Sequence, residues 1–343
     1  MILRTGLLIL VCICGHTFAQ NPVEEKWYSR VQYDTAFVRS YYDNFLHVTL
    51  VSTSLNQSLD VANVENDINI NYRPNNAYRF GIGFDYRFMT LEYAQSIDAL
   101  DVPDPKLGQT KSTSLRLGVT GRRYLVSALI QRFQGMYVSN PQDLKPQSSA
   151  LQNRVRNDLT SEVLLGSMYY FFNNRRYSAM AGLWQIDRQK KTAGSIAAGI
   201  TIAANHLKSD TSLIPGFLST TIHPEDRVIE SYTYLIGLNG GYAFNIVARG
   251  RLFLNLMLMP GLNVQFGNYT VEGNTRSAYQ KSLGYHGDFR IVAGYNGERY
   301  YGGVHYANYF NSNTLKSTVD VNLYNTYFRI FFGRRFDLQK PLK

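Results

Sequence analysis

Between Leu252 and Phe266 an apolar residue or proline occupies every second position. Leu252, Leu254, Leu256, Leu258, Pro260, Leu262, Val264 and Phe266 share one side of an extended chain, while Asn255, Asn263 and Gln265 fall on the other. A period of two places alternate side chains on opposite faces. The same pattern recurs from Tyr78 to Phe88, Tyr232 to Ile246, Leu283 to Tyr295 and Tyr324 to Phe336, with little competing helical periodicity. Strands of soluble proteins average about five or six residues. Longer alternating runs suit strands that cross a bilayer.

Strands are predicted near 45–55, 66–73, 77–96, 111–121, 123–138, 158–172, 177–206, 231–246, 251–270, 282–296, 298–310 and 318–337. Short connections, such as Arg73 to Asn76, Gly121-Arg122 and Ala248 to Gly250, alternate with long ones at 97–110, 139–157, 207–230, 271–281 and 311–317. Short periplasmic turns alternating with long external loops mark a membrane barrel. The expected fold is a single antiparallel transmembrane β-barrel of about twelve strands, with roughly ten to fourteen as the range. Two segments strain the count. The apolar phase flips near Phe88-Met89, and 177–206 is too long for one crossing and holds a polar stretch from Asp187 to Ser195. Each hides either a bulge or a hairpin.

Alternation does not say which face points inward. The apolar face carries Leu, Phe and Tyr, too bulky for a small interior, whereas the other mixes small residues with charges. This puts Arg79, Asp85, Arg87, Arg116, Glu162, Asp288, Arg290, Arg299 and Arg329 in the lumen. Facing lipid near the midplane, an Arg or Lys would cost about 2–4 kcal/mol. Bridges between these charges predict a constricted or plugged lumen.

Composition agrees with export. Residues 1–19 read as a signal peptide, with Arg4, a short apolar stretch from Leu7 to Cys14, and Thr17-Phe18-Ala19 before the expected mature start at Gln20. Both cysteines, Cys12 and Cys14, fall inside it, and Val11 and Ile13 before them do not suit lipid attachment. The mature chain then has no disulfide, zinc–thiolate or thiol chemistry. Residues 20–44 form a periplasmic lead-in, 45–338 the barrel and 339–343 a polar tail. The 26 Tyr residues suit membrane–water boundaries.

The formal charge of +10 is spread along the sequence. Arg122-Arg123, Arg175-Arg176, Lys190-Lys191 and Arg334-Arg335 sit at strand ends, either as solvated turns or as contacts to anionic lipid or lipopolysaccharide. No run or module suggests a nucleic-acid partner. Candidate chemistry is sparse. No mature histidine precedes Ser by two residues, and His47-Val48-Thr49 comes nearest. His286 and Asp288 share a face with Arg290 and could form an acid–base pair or a packing network. Asp98, Asp101 and Asp104 could offer oxygen ligands to calcium, but their spacing is not that of an EF-hand. No cofactor or metal is expected. Gln189, Lys190, Lys191, Gly194 and Ser195 form a basic bend, or a site for an anionic solute, lipid or partner.

Several patches resemble a family of Bacteroidota proteins known as domain of unknown function 4421. They are Tyr33-Asp34-Thr35 with Arg39 to Tyr42, Asn71 to Pro74 leading into Tyr78 to Gly83, Tyr169 to Asn173 with Tyr177-Ser178, and Gln189 to Ser195. The resemblance implies an exported, barrel-like protein of a Gram-negative outer membrane and no activity. The expected role is non-enzymatic, a narrow or plugged pore or an envelope scaffold. The alternatives are an enzyme acting on lipid or lipopolysaccharide, and a soluble periplasmic barrel for an apolar ligand.

Overall fold

The computed structural model describes residues 33–41, 45–75, 78–87, 89–96, 104–144, 155–214, 218, 222–273, 278–312, 314–316 and 319–338. The expected signal peptide at 1–19, the first part of the expected lead-in, the tail at 339–343, and Asp98 and Asp101 lie outside these residues. All of the described chain falls in one compact unit, Tyr33–Lys343.

Sixteen strands follow in order: β1 (Val38–Ser40), β2 (Phe45–Asn63), β3 (Ile68–Arg73), β4 (Arg79–Tyr86), β5 (Met89–Ser96), β6 (Lys111–Thr120), β7 (Tyr124–Val138) and β8 (Val155–Phe171), then β9 (Asp187–Gln189), β10 (Ala193–Lys208), β11 (Val228–Ala248), β12 (Leu252–Val271), β13 (Ala278–Asn296), β14 (Tyr300–Asn311), β15 (Thr314–Lys316) and β16 (Val319–Asp337). Twelve of them close a ring in the order β2-β4-β5-β6-β7-β8-β10-β11-β12-β13-β14-β16 and back to β2. The closing seam runs from Phe45 opposite Asp337 to Asn63 opposite Val319. Every pairing is antiparallel, and the ring closes on itself through β16 and β2.

Outward positions are apolar and exposed, with Leu238, Leu262 and Leu283 among the barest. Inward positions on the same strands, including Asn239, Asn263 and His286, are buried. The apolar face therefore points out and the mixed face in. Pro260 lies within β12, opposite Gly287 of β13. Proline has no amide donor, and the ladder to β11 lapses beside it, at Gly240 and Gly241. The β11–β12 turn needs left-handed backbone at Arg249 and Gly250 (φ 50° and 67°), a conformation that costs glycine least.

The expected number of strands matches the ring, but several strands differ from their expected extents. Residues 77–96 form the hairpin β4–β5, not one strand. Arg87 takes φ 52° in its turn, and the phase flip is that turn (Phe88 lies outside the described residues). Conversely, the segment at 66–73 is not a full wall strand. As β3 it pairs with the upper part of β2, Leu59 to Asn63, and touches β7 through Tyr72 and Arg73. The two differences cancel. In 177–206 the wall strand begins only at Ala193. The residues before it leave the wall for the lumen, passing through a buried π-helical turn at Met180–Trp184.

Candidate functional site in the lumen

The lumen is filled in three tiers. At the long-loop end the interior is apolar. Leu59, Val61, Ile70, Phe133, Leu159 and Val321 from the wall pack with Leu213, Ile214, Leu218 and Ile222 from the β10–β11 loop. The alternation had pointed to a polar lumen throughout. Leu159 and Val321 fall within predicted strands, whereas Leu59 and Val61 fall in the gap between 45–55 and 66–73.

At the short-turn end the lumen is closed by the lead-in and the segment after β8. β1 pairs with β9, placing Val38 opposite Gln189 and Ser40 opposite Asp187. Gln189 fastens this small sheet. Its amide donates to the carbonyls of Arg176 (2.6 Å), Lys191 (3.0 Å) and Phe37 (3.3 Å), and its Oε1 accepts from the Ser178 amide and Asn245. Lys190 Nζ donates to the Thr35 carbonyl, and Lys191 lies over the Phe37 ring. Ser195 Oγ accepts from the Asn173 amide, while the Asn173 side chain donates to the Gly194 carbonyl. The basic patch thus ties plug to wall. The wall contributes further bonds: Asn245 to the Ser178 carbonyl, Asn255 to the Tyr177 hydroxyl, Asn296 to the Asp187 carbonyl, and Arg335 to the Gln185 carbonyl.

Asp187 is buried inside this plug. Desolvation pushes its carboxyl above the ordinary 3.8, against hydrogen bonds from Ser40, Ser178 and Tyr33 and the positive charge of Arg122. The docked plug therefore binds more protons than the released one across that window, and docking weakens as pH rises from about 3.8 through the docked value. Protease cleavage within 172–192 is expected to increase with pH over this range. Asp187→Asn should flatten the profile, and an unchanged profile in that variant would remove Asp187 as the cause.

The middle tier is charged. Arg329 Nη2 lies 2.7 Å from Glu92 Oε2, and Tyr327 donates to Glu92 Oε1 at 2.9 Å. Arg116 stacks over the Tyr327 ring at 4.0 Å. Arg290 grips both oxygens of Asp288, and Tyr169 on the far wall donates to Oδ2 at 2.8 Å. Asp85 accepts from Thr90 at 2.7 Å. Arg79 is fully buried over the Phe133 ring, with both terminal guanidinium nitrogens unpaired. Between these groups lies a cavity of about 60 Å³ lined by Arg116, Gln131, Trp184, His305, Tyr309 and Asn325. One water needs about 10–15 Å³ by this measure, so the space holds a few waters. It lies beside unpartnered atoms of Gln131, His305, Tyr309 and Asn325.

The structure thus places Arg79, Asp85, Arg116, Asp288, Arg290 and Arg329 inside. Three other residues expected there are elsewhere. Arg87 and Arg299 are exposed in the β4–β5 and β13–β14 turns, where the strand pattern had already ended. Glu162 points outward, because β8 turns Ser161 and Val163 inward. It joins Arg132 (3.6 Å) and His206 (3.4 Å), and His206 stacks on Tyr232 and bonds Glu230 at 2.9 Å. His286 bonds Asn263, not Asp288, whose oxygens are held by Arg290 and Tyr169. The acid–base pair is therefore not formed. Asp104 caps a short helical turn through the Lys106 amide, and among the described residues no His, Cys, Asp and Glu group is placed to hold a metal. Sequence reasoning missed Glu92, Tyr169 and Arg335 as site residues. Glu92 became legible only once 77–96 was split at its phase flip.

A closed antiparallel ring, apolar outside and polar within its central tier, is a transmembrane β-barrel. Among the described residues no helix is long and apolar enough to cross a membrane. The chain belongs to the family described as a domain of unknown function (DUF4421), whose model matches residues 32–336. Similar solved structures include the outer membrane protease OmpT of Escherichia coli, at 9% identity and a TM-score of 0.41, covering 88% of this chain and 98% of that one. Another is OmpT, an outer membrane protein of Vibrio cholerae, at 8% identity and 0.28, covering 90% and 100%. A third is the toluene transporter TodX of P. putida, at 8% and 0.25, covering 86% and 90%. No curated protein matches the chain in sequence.

Proposed function

We propose that this protein is a sealed outer-membrane barrel of a Gram-negative envelope, exported by residues 1–19. It serves as a plugged conduit or scaffold, not as an open porin. The observation that carries this reading is the double closure of the lumen, by an apolar core at the loop end and a hydrogen-bonded plug at the turn end. The exposed apolar exterior argues against a soluble periplasmic barrel. An enzyme acting on lipid or lipopolysaccharide is less well supported. Among the described residues no histidine is hydrogen-bonded to a serine or threonine hydroxyl, and His206 between two carboxylates is the nearest approach to catalytic apparatus.

In planar bilayers the full-length barrel is expected to show small conductance or none. Openings on the nanosiemens scale would overturn the sealed reading.

A further inference from the structure

The basic residues that the sequence spreads along the chain are gathered by the fold at one end of the barrel. Arg122-Arg123 occupies the β6–β7 turn, Arg175-Arg176 follows β8, and Lys190-Lys191 follows β9. Arg334-Arg335 lies near the end of β16, opposite the starts of β2 and β14. The remaining short turns carry Arg87, Arg249 with Arg251, and Arg299. Every connection at this end therefore contains arginine. Carboxylates here are few among the described residues, and those that exist are engaged. Asp34 faces Arg176, Glu298 is shared by Arg39 and Arg188, Asp187 is buried, and Asp337 at the end of β16 also has a partner. Arg123, Arg175, Arg249, Arg299 and Arg334 are exposed and make no ion pair among the described residues. The opposite end is mixed, with Glu65, Asp67, Asp143, Asp210, Glu225 and Glu272 exposed beside Arg73, Lys106, Lys111, Lys208 and Lys281.

The cations sit at a defined height. Outward-facing Tyr86, Phe172, Tyr295, Tyr300 and Phe332 are exposed just inside this rim, where aromatic side chains mark a membrane–water boundary. Arg87 lies over Tyr86, Arg334 lies over Tyr300, and Arg251 donates to the Tyr295 hydroxyl. The guanidinium groups are thus presented where lipid head groups begin.

We propose that the turn-end rim is a docking belt for anionic glycerophospholipid head groups of the periplasmic leaflet. The inference rests on the outer-membrane reading above, in which short turns face the periplasm. Guanidinium forks match phosphate oxygens, and clustered cations beside a membrane select anionic lipid. The cations surround the barrel on all its turns, which fits a leaflet enclosing it better than one protein docking on one side. Lipopolysaccharide phosphates would meet the loop end, where exposed acids are interspersed with bases and form no comparable arginine ring.

The test is native mass spectrometry of the full-length barrel in detergent, given equal phosphatidylglycerol and phosphatidylcholine. Phosphatidylglycerol should be preferred by about tenfold at low salt, less at high salt, since exposed charges are screened. A triple variant, Arg123→Gln, Arg249→Gln and Arg299→Gln, should lose the preference while keeping a normal heat-modifiable gel shift. A control variant, Lys208→Gln near the loop end, should retain it. Equal occupancy by the two lipids, a preference that survives the triple variant, or an equal loss in the control would each overturn the proposal. If wild-type protein shows no heat-modifiable shift even in neutral lipid, the barrel reading itself fails, and the belt with it.

Discussion

Replacing Arg335 by alanine is expected to release the turn-end plug. The guanidinium is buried and reaches several partners at once. It donates to the carbonyls of Gly297 and Gln185 and to Asn296 Oδ1 (2.7 Å). It also lies between the Tyr41 and Tyr301 rings, at 4.6 and 4.7 Å. Gln185 belongs to the plug, Tyr41 to the lead-in, and Asn296 and Tyr301 to the wall, so one side chain joins all three. Hydrogen bonds involving a charged group contribute about 1.5–3 kcal/mol each. Their loss, with orphaned buried carbonyls left behind, should cost on the order of 3–5 kcal/mol of plug docking. Protease should cut within 172–192 far faster in Arg335→Ala than in wild type, while conductance stays small because the apolar core still closes the loop end. Arg335→Lys should be intermediate, because an ammonium keeps the charge but loses the planar fork. A variant as protease-resistant as wild type would show that the plug does not depend on this clamp.

The second large effect is expected at Glu92 and Arg329, both buried and 2.7 Å apart. Removing one member of a buried pair leaves the other charge unpaired, at about 3–5 kcal/mol. Arg329→Met alone should therefore lower stability by roughly that amount, read as a lower temperature for the heat-modifiable shift and a lower denaturant midpoint in detergent. Glu92→Leu alone should be comparably damaging, since it also deprives Tyr327 of its acceptor. The double variant should recover most of the loss, because replacing a whole buried pair by apolar groups is often neutral or better. Additive losses in the double variant would mean that the pair is not the unit holding β5 to β16.

Much of the wall was legible in the sequence for a simple physical reason. Each strand meets lipid on one side only, so a period of two is imposed wherever the barrel crosses the membrane. The strand number and the closed antiparallel form followed from that pattern, and the outward direction of Leu252 to Phe266 followed from the bulk of its apolar face. Regions without the constraint were harder to read. The β4–β5 turn is tight, so the hairpin looked like one strand with a phase error. β3 alternates as a wall strand does, with Ile68, Ile70 and Tyr72 buried, although it covers only the upper part of the barrel. The buried plug residues Met180 to Trp184 face protein on all sides and carry no periodic signature. The lumenal network depends on register between distant strands: Glu92 and Arg329 are far apart in the chain, and Tyr169 reaches Asp288 across the barrel. No single segment records such a meeting.

The partial strand β3 has a mechanical consequence for the surrounding membrane. Above the level at which β3 bridges β2 to β7, the wall no longer runs through β4, β5 and β6. Those strands are short, with β4 and β5 only 8 residues each, whereas β12 has 20. At about 3.3 Å per residue and a tilt near 45°, an eight-residue strand rises only about 19 Å. The apolar height of the barrel is therefore unequal around its circumference, lower on the β4–β6 flank than on the β11–β13 flank. A bilayer adapts to such mismatch by thinning locally against the short side. The protein should sit in the membrane with one compressed shoulder of lipid, a fixed deformation that gives an otherwise cylindrical object a preferred direction toward its neighbours.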